Sequence, residues 1–112
     1  MKLQDFVKKY ELHDSLLEYI TYNRQKQELV LDIDLCYWMQ KDYKDSEPET
    51  GMIKLVFEGV KEYSGMTGEV ADFSIMNVDV TGDNGVKISV LDDENNEFHE
   101  VSFNADSVRV IL

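Results

Sequence analysis

Basic residues are scarce in this chain. Eleven lysines and arginines stand against 23 aspartates and glutamates, a formal net charge of −12 over 112 residues. A polyanion of this size is repelled by nucleic acid and by anionic membranes, so those partner classes are excluded. A basic protein, a cation or a purely solubilising surface remain. Cysteine is scarcer still: Cys36 stands alone and has no partner for an internal disulfide. No apolar run approaches the ~20 residues that span a bilayer, and Met1-Lys2-Leu3-Gln4-Asp5 turns polar at once, without the apolar centre of a secretion signal. These absences together predict a reducing, cytoplasmic setting.

The residues that are present suffice for a core. The chain is 43% hydrophobic and 11% aromatic, which sets it apart from disordered sequences, and its length suits a single domain over residues 1–112. The charge is unevenly placed. Residues 1–40 hold 7 acids and 5 bases, and residues 41–112 hold 16 acids and 6 bases.

Leu3, Phe6, Val7 and Tyr10 recur at the spacing of a short amphipathic helix, too short to stand in water without docking on something. From Ser15 the period changes to two. "SLLEYITYN" reads as a strand, "NRQKQ" as a polar turn, and "ELVLDIDLCYW" as a strand with Leu29, Leu31, Ile33, Leu35 and Tyr37 on one face. Val30, Asp32, Asp34, Cys36 and Trp38 take the other face. The two strands predict an antiparallel hairpin.

"QKDYKDSEPETG" carries the one proline, Pro48, and reads as an exposed loop; "MIKLVFEGV" resumes as a strand. "KEYSGMTGEV" reads as a connection and "ADFSIMNVDV" as a strand. In "TGDNG" the Asn84-Gly85 pair suits a turn with positive φ. "VKISVLDD" and "EFHEVSF" flank "ENN" as a second hairpin, and "SVRVIL" closes the chain as a strand.

The expected fold is therefore mainly β, an antiparallel sheet or sandwich of six to seven strands with a short N-terminal helix. An α+β arrangement is the alternative if "EYSGMTGEVADF" is helical. The period-two pattern places Leu29, Leu31, Ile33, Leu35, Ile53, Leu55, Phe57, Val86, Ile88 and Val90 in one continuous core.

His13-Asp14-Ser15 combines the residue types of hydrolytic chemistry. A nucleophilic serine needs a base within reach and a third group to orient that base. Neighbours on a strand point to opposite faces, so His13 and Ser15 could share a face that Asp14 could not. No G-x-S-x-G turn presents Ser15. A mixed metal site of His13 and Asp14 with His99, Asp32 or Asp34 would suit zinc or manganese, yet no spaced ligand pair such as H-E-x-x-H supports it. The simpler reading is a structural corner, in which Asp14 and Ser15 bond nearby backbone and turn the chain from the helix into the first strand.

"DDENNE" at Asp92–Glu97 lacks the glycine and ligand spacing of a calcium loop and reads as a hairpin tip. "YSGMTG" lacks the Lys-Ser or Lys-Thr of a phosphate loop. The spacing therefore points to no metal and no cofactor, and to a protein that is not an enzyme. The best candidate contact surface is the acidic loop with Asp42, Asp45, Glu47 and Glu49, beside Tyr37, Trp38 and Tyr43. Acids there would steer a basic partner, and aromatics would anchor it.

The order of these pieces resembles a family of small bacterial proteins with a Leu-His-Asp-Ser or Leu-His-Asp-Ala motif near the N-terminus. The matching residues are Leu12, His13, Asp14 and Ser15, followed by Phe57, Gly59 and Val60. Some of those proteins look like the immunity protein 50 group, thought to neutralise polymorphic toxins. The resemblance implies a cytoplasmic binding protein, an immunity-type inhibitor rather than an enzyme. It carries over no toxin and no binding residue. Nuclease toxins are often basic because they bind phosphate backbones, and a compact polyanion can occupy the same basic cleft. The remaining functional readings are a small structural or regulatory domain and, third, a metal-dependent hydrolase using His13 and His99.

Overall fold

The computed structural model describes residues 1–112, the side chain of Ala71 excepted. A helix α1 (Leu3–Lys9) precedes eight strands: β1 (Leu16–Asn23), β2 (Glu28–Cys36), β3 (Thr50–Glu58), β4 (Lys61–Ser64), β5 (Gly68–Thr81), β6 (Gly85–Asp92), β7 (Glu97–Asn104) and β8 (Ser107–Ile111). All eight belong to one antiparallel sheet, in the order β4-β7-β6-β5-β1-β2-β3-β8. The mainly β class and the leading helix are as the sequence predicts. Both expected hairpins form, with Ile20 opposite Leu31 in the first and Ile88 opposite Val101 in the second.

The connections force this sheet to roll up. β3 and β4 are joined only by Gly59 and Val60, although β4 is the first strand in the order and β3 the seventh. In a flat sheet they would lie about 29 Å apart at ~4.8 Å per strand. Two linking residues span at most about 11 Å. The same holds for β7 and β8, joined by Ala105 and Asp106. The sheet therefore curls until those strand ends lie side by side, and with no ladder between β4 and β8 among the described residues it is an open roll. Asp106 N–H donates to the Glu58 carbonyl at 2.8 Å and Val60 N–H to the Gln27 carbonyl at 2.7 Å, pinning the crossing. Gly59 takes φ +68 there, and a Cβ would collide with the Asp106 carboxylate, so the position requires glycine.

The rolled sheet puts one face inside. The ten side chains expected in the core are each at most 3% exposed. Burying each aliphatic or aromatic side chain of this kind contributes roughly 1.5–3 kcal/mol. Phe57 and Phe103 meet edge to face at 4.9 Å, and Phe6 of the helix joins them, 6.3 Å from Phe57. Leu3 and Phe6 are buried, so the short helix gains from this core the stability it lacks alone. Its entry is fastened to β8: the Met1 ammonium donates to the Val108 carbonyl at 2.7 Å, and Val108 N–H donates to the Met1 carbonyl at 3.0 Å.

Four sequence expectations need correction. There are eight strands rather than six to seven, because "KEYSGMTGEV" is not a plain connection. Its first residues form β4 on the edge beside β7, where half-buried Tyr63 packs 4.8 Å from Tyr22; its last residues begin β5. Burial pushes the Tyr63 hydroxyl up to about 12.

"EYSGMTGEVADF" is accordingly strand and link, not helix. Next, β2 stops at Cys36, and Tyr37–Met39 form one 3-10 turn, so Tyr37 and Trp38 do not continue the alternation. The cause is local: Tyr37 and Trp38 N–H groups both donate to the Glu49 carbonyl, at 2.8 and 3.3 Å. Finally, in the turn after β5 the positive φ belongs to Gly82 (+61), not to Asn84-Gly85.

No helix among the described residues is long and apolar enough to cross a membrane.

Candidate functional site

The Leu12–Ser15 segment lies where α1 gives way to β1. Asp14 adopts φ +68, a left-handed conformation that aspartate tolerates better than most residues. Its N–H donates to the Ile75 carbonyl at 2.9 Å, and Ile75 N–H returns to the Ser15 carbonyl at 2.8 Å. Ser15 is fully buried, and its Oγ accepts the Cys36 N–H at 3.0 Å. The Cys36 thiol donates to the Asp14 carbonyl at 3.3 Å; burial raises its pKa, against the opposing hydrogen bond from Ser15.

His13 instead sits near the surface, with Nδ1 3.3 Å from Asp14 Oδ2. The hydroxyl that a triad would use is thus enclosed and committed to backbone, and its hydrogen-bond partner is Cys36 rather than His13. What the three residues do is join α1, β1, β2 and β5 at one corner.

The acidic loop leaves the end of β2 and packs beside the C-terminal end of α1. Gln40 clamps it there: its side-chain amide donates to the Glu11 carbonyl at 2.7 Å and to the Cys36 carbonyl at 2.9 Å, while its Oε1 accepts the Glu11 N–H at 3.0 Å. Further along, Tyr43 Oη donates to the Glu47 carbonyl at 3.2 Å, and Glu47 Oε1 accepts the Lys44 N–H at 3.2 Å.

Between loop and helix lies a groove of about 370 Å³, floored by Tyr10, Leu35, Tyr37 and Tyr43. Asp42 and Glu47 border it, as do Lys9 and Lys41. Desolvation and the neighbouring carboxylates of Glu49, Asp45 and Glu47 push the Tyr43 hydroxyl up. Of the expected contact residues, Tyr37, Asp42, Tyr43 and Glu47 therefore converge on one groove. Asp45 and Glu49 are exposed on the loop, and Trp38, 51% exposed, points elsewhere than the groove lining.

A second acidic site comes from pairing rather than from sequence proximity. In β1 the register shifts between Leu17 and Tyr19 against both neighbours, leaving Glu18 in a bulge. On β5 the partners jump from Phe73 to Glu69, and Asp72 in the interval takes φ +50. The bulge turns Glu18 against Asp72, with Asp34 and Glu69 close by. A hydrogen bond shared with Asp72, burial, and then the charges of Asp72, Asp34 and Glu69 raise the Glu18 carboxyl to about 7.

Beside this cluster is a shallow groove of about 530 Å³ on the outward side of the sheet, between Tyr19, Met52, Ile111 and Leu112. None of these residues stood out in the sequence. Their one signal was apolar side chains, Met52 and Ile111, at positions the alternation assigns to the wet face.

At the hairpin tip Asp92, Glu97 and His99 bring ligand atoms within 4.8 Å of one another, the one such grouping among the described residues. The Asp92 carboxylate is already occupied. It accepts the N–H groups of Glu94 and Asn95 at 3.1 and 3.3 Å and the Asn95 side-chain amide at 2.7 Å, and these bonds hold its pKa below the ordinary value against the burial that opposes them. The His99 ring stacks on Phe73 at 5.3 Å. His13 does not join the grouping. Asp32 is paired with Lys54 at 2.7 Å, Asp34 lies with Glu18 and Asp14 with His13, so the mixed site weighed in the sequence, of His13 and Asp14 with His99, Asp32 or Asp34, is not assembled.

Comparison of the chain with protein-family models, with curated proteins and with solved structures gave no match.

Proposed function

We propose that this chain is a protein-binding module that covers a basic surface of another protein, in the manner of an immunity-type inhibitor of a basic toxin. The observation that carries this reading is the groove between α1 and the acidic loop. It offers half-buried tyrosine side chains for a partner to desolvate, with Asp42 and Glu47 beside Lys9 and Lys41 at its border and the exposed acids Asp45 and Glu49 on the same loop. The loop's own hydrogen bonds and the Gln40 clamp hold this surface in shape before any partner arrives, which lowers the ordering cost of association. The enclosed Ser15 hydroxyl, committed to the Cys36 N–H, favours binding over hydrolysis as the chain's role.

The test is charge reversal of Asp42, Asp45, Glu47 and Glu49 to lysine. With a basic protein encoded beside this chain or captured from its native host, the association rate should fall and lose its salt dependence, while the melting temperature stays nearly unchanged. If the reversed protein associates at the parent's rate in low salt, the loop is not the contact surface.

A further inference from the structure

The strand register lines up one row of outward-facing residues across five strands. Ile111 of β8 pairs with Lys54 of β3, Lys54 with Asp32 of β2, Asp32 with Tyr19 of β1, and Tyr19 with Glu69 of β5. Met52 lies on the same face two residues before Lys54. Tyr19, Met52 and Ile111 are 44, 55 and 44% exposed, and Leu112 at the chain end is 81% exposed.

Single exposed apolar side chains are ordinary on a protein surface, but here four of them line the same 530 Å³ groove. The rim of that groove is acidic. Glu18, Asp32 and Glu69 line it, and Asp34 and Asp72 stand behind Glu18. Lys54 is the one base in the lining, and Asp32 already holds its ammonium at 2.7 Å.

The charge selects the occupant. A second copy of a chain with net charge −12 would set the same acidic rim against itself across a two-fold axis. A nucleic acid would be repelled. A basic protein meets both demands, because its cations neutralise the rim while its apolar side chains cover the floor.

We propose that the outward face of β1, β2, β3 and β8 is an interaction surface for a basic protein, which seats apolar side chains over Tyr19, Met52 and Ile111 and a lysine or arginine at the Glu18–Glu69 end. This rests on the reading of the chain as a binding module and extends it to a surface separate from the acidic loop. Leu112 lines both grooves, so one partner can span the two.

The experiment is an NMR titration of the isotope-labelled full chain with two peptides of equal length. One alternates lysine and leucine, the other lysine and serine. The lysine–leucine peptide should shift the amides of Tyr19, Met52, Lys54, Glu69 and Ile111 saturably, and bind roughly tenfold more tightly than the lysine–serine peptide. Met52→Asp with Ile111→Asp should weaken it by a similar factor of about ten, with the melting temperature as the control for folding. The wild-type shift map stands whether or not that variant folds.

Shifts confined to residues 41–49 would overturn this surface and leave the binding-module reading in place. Equal affinity for the two peptides would remove the apolar floor from the account and overturn the proposal. Shifts spread over every acidic segment, the Asp92–Glu97 tip included, or no binding by either peptide, would overturn both readings. A dimer in sedimentation with these amides protected would name the second copy as occupant and overturn the basic partner.

Discussion

Replacing Glu18 by glutamine should stabilise this protein, and the gain should depend on pH. The Glu18 carboxyl is raised from 4.5 to about 7, chiefly by the hydrogen bond shared with Asp72 and by burial. Below pH 4.5 the group is protonated in both the folded and the unfolded chain and costs nothing. Between pH 4.5 and 7 the unfolded chain releases its proton while the folded chain keeps it, so stability is lost as pH rises. Above 7 the folded group ionises as well, and the cost is complete.

At about 1.4 kcal/mol per pH unit, the unscreened cost is ~3 kcal/mol. Glu18 is partly open to water, and screening reduces the expectation to ~1 kcal/mol. Glutamine removes the charge yet can still donate to Asp72. Urea unfolding at pH 8 should therefore show Glu18→Gln more stable by about 1 kcal/mol, with most of the difference gone at pH 5. Asp72→Asn should act in the same direction, since asparagine tolerates the φ of +50 found there. A difference between parent and variant that is the same at pH 5 and pH 8 would refute the shared-proton account of the bulge.

Two further substitutions test the scaffold. Ser15→Ala removes the acceptor for the buried Cys36 N–H and should cost ~1–3 kcal/mol in urea unfolding, where a surface serine would cost almost nothing. Ile33→Ala, at a position with no solvent exposure in the middle of β2, should cost ~2–5 kcal/mol; a cost under ~1 kcal/mol would mean that the β2 register is wrong.

The parts of this fold that rest on alternation were legible in the residues. β2 reads apolar in, polar out from Leu31 to Leu35, and the structure keeps that register without a break against β3. The parts that were not legible depend on pairing across the chain. β4 is four residues long and carries no alternation; it is a strand because β7 offers an edge and Tyr63 finds Tyr22 and Phe103 to pack against.

The candidate sites divide the same way. Asp42 to Glu49 is a run of acids and shows itself in the sequence, whereas Glu18, Asp34, Glu69 and Asp72 lie on three strands and meet through a bulge. Likewise the alternation places Tyr37 on the strand face of Leu29 to Leu35, one residue beyond where β2 ends. Gly51, in the next strand β3, marks the place where the tyrosine ring crosses the backbone: a Cβ there would stand 2.5 Å from Tyr37 Oη.

The rolled sheet also limits where binding can occur. Its interior holds Phe6, Phe57 and Phe103 in contact, and the Leu12–Ser15 corner is spent on joining elements. Two surfaces with grooves open to a partner are the outward sheet face and the loop beside the helix. These differ in what holds them and in how they carry charge. The row from Ile111 to Glu69 is fixed at each step by strand pairing, so a partner seated on it orders little that is not already ordered.

The loop from Asp42 to Glu49 presents exposed carboxylates to solvent, where charge acts at a distance before contact. On the proposed reading the two surfaces therefore divide the kinetics. The loop acids set how fast a basic protein arrives and lose their influence in salt, while Met52 and Ile111 set how long it stays. A loop reversal that left the association rate alone and shortened the lifetime of the complex instead would contradict that division.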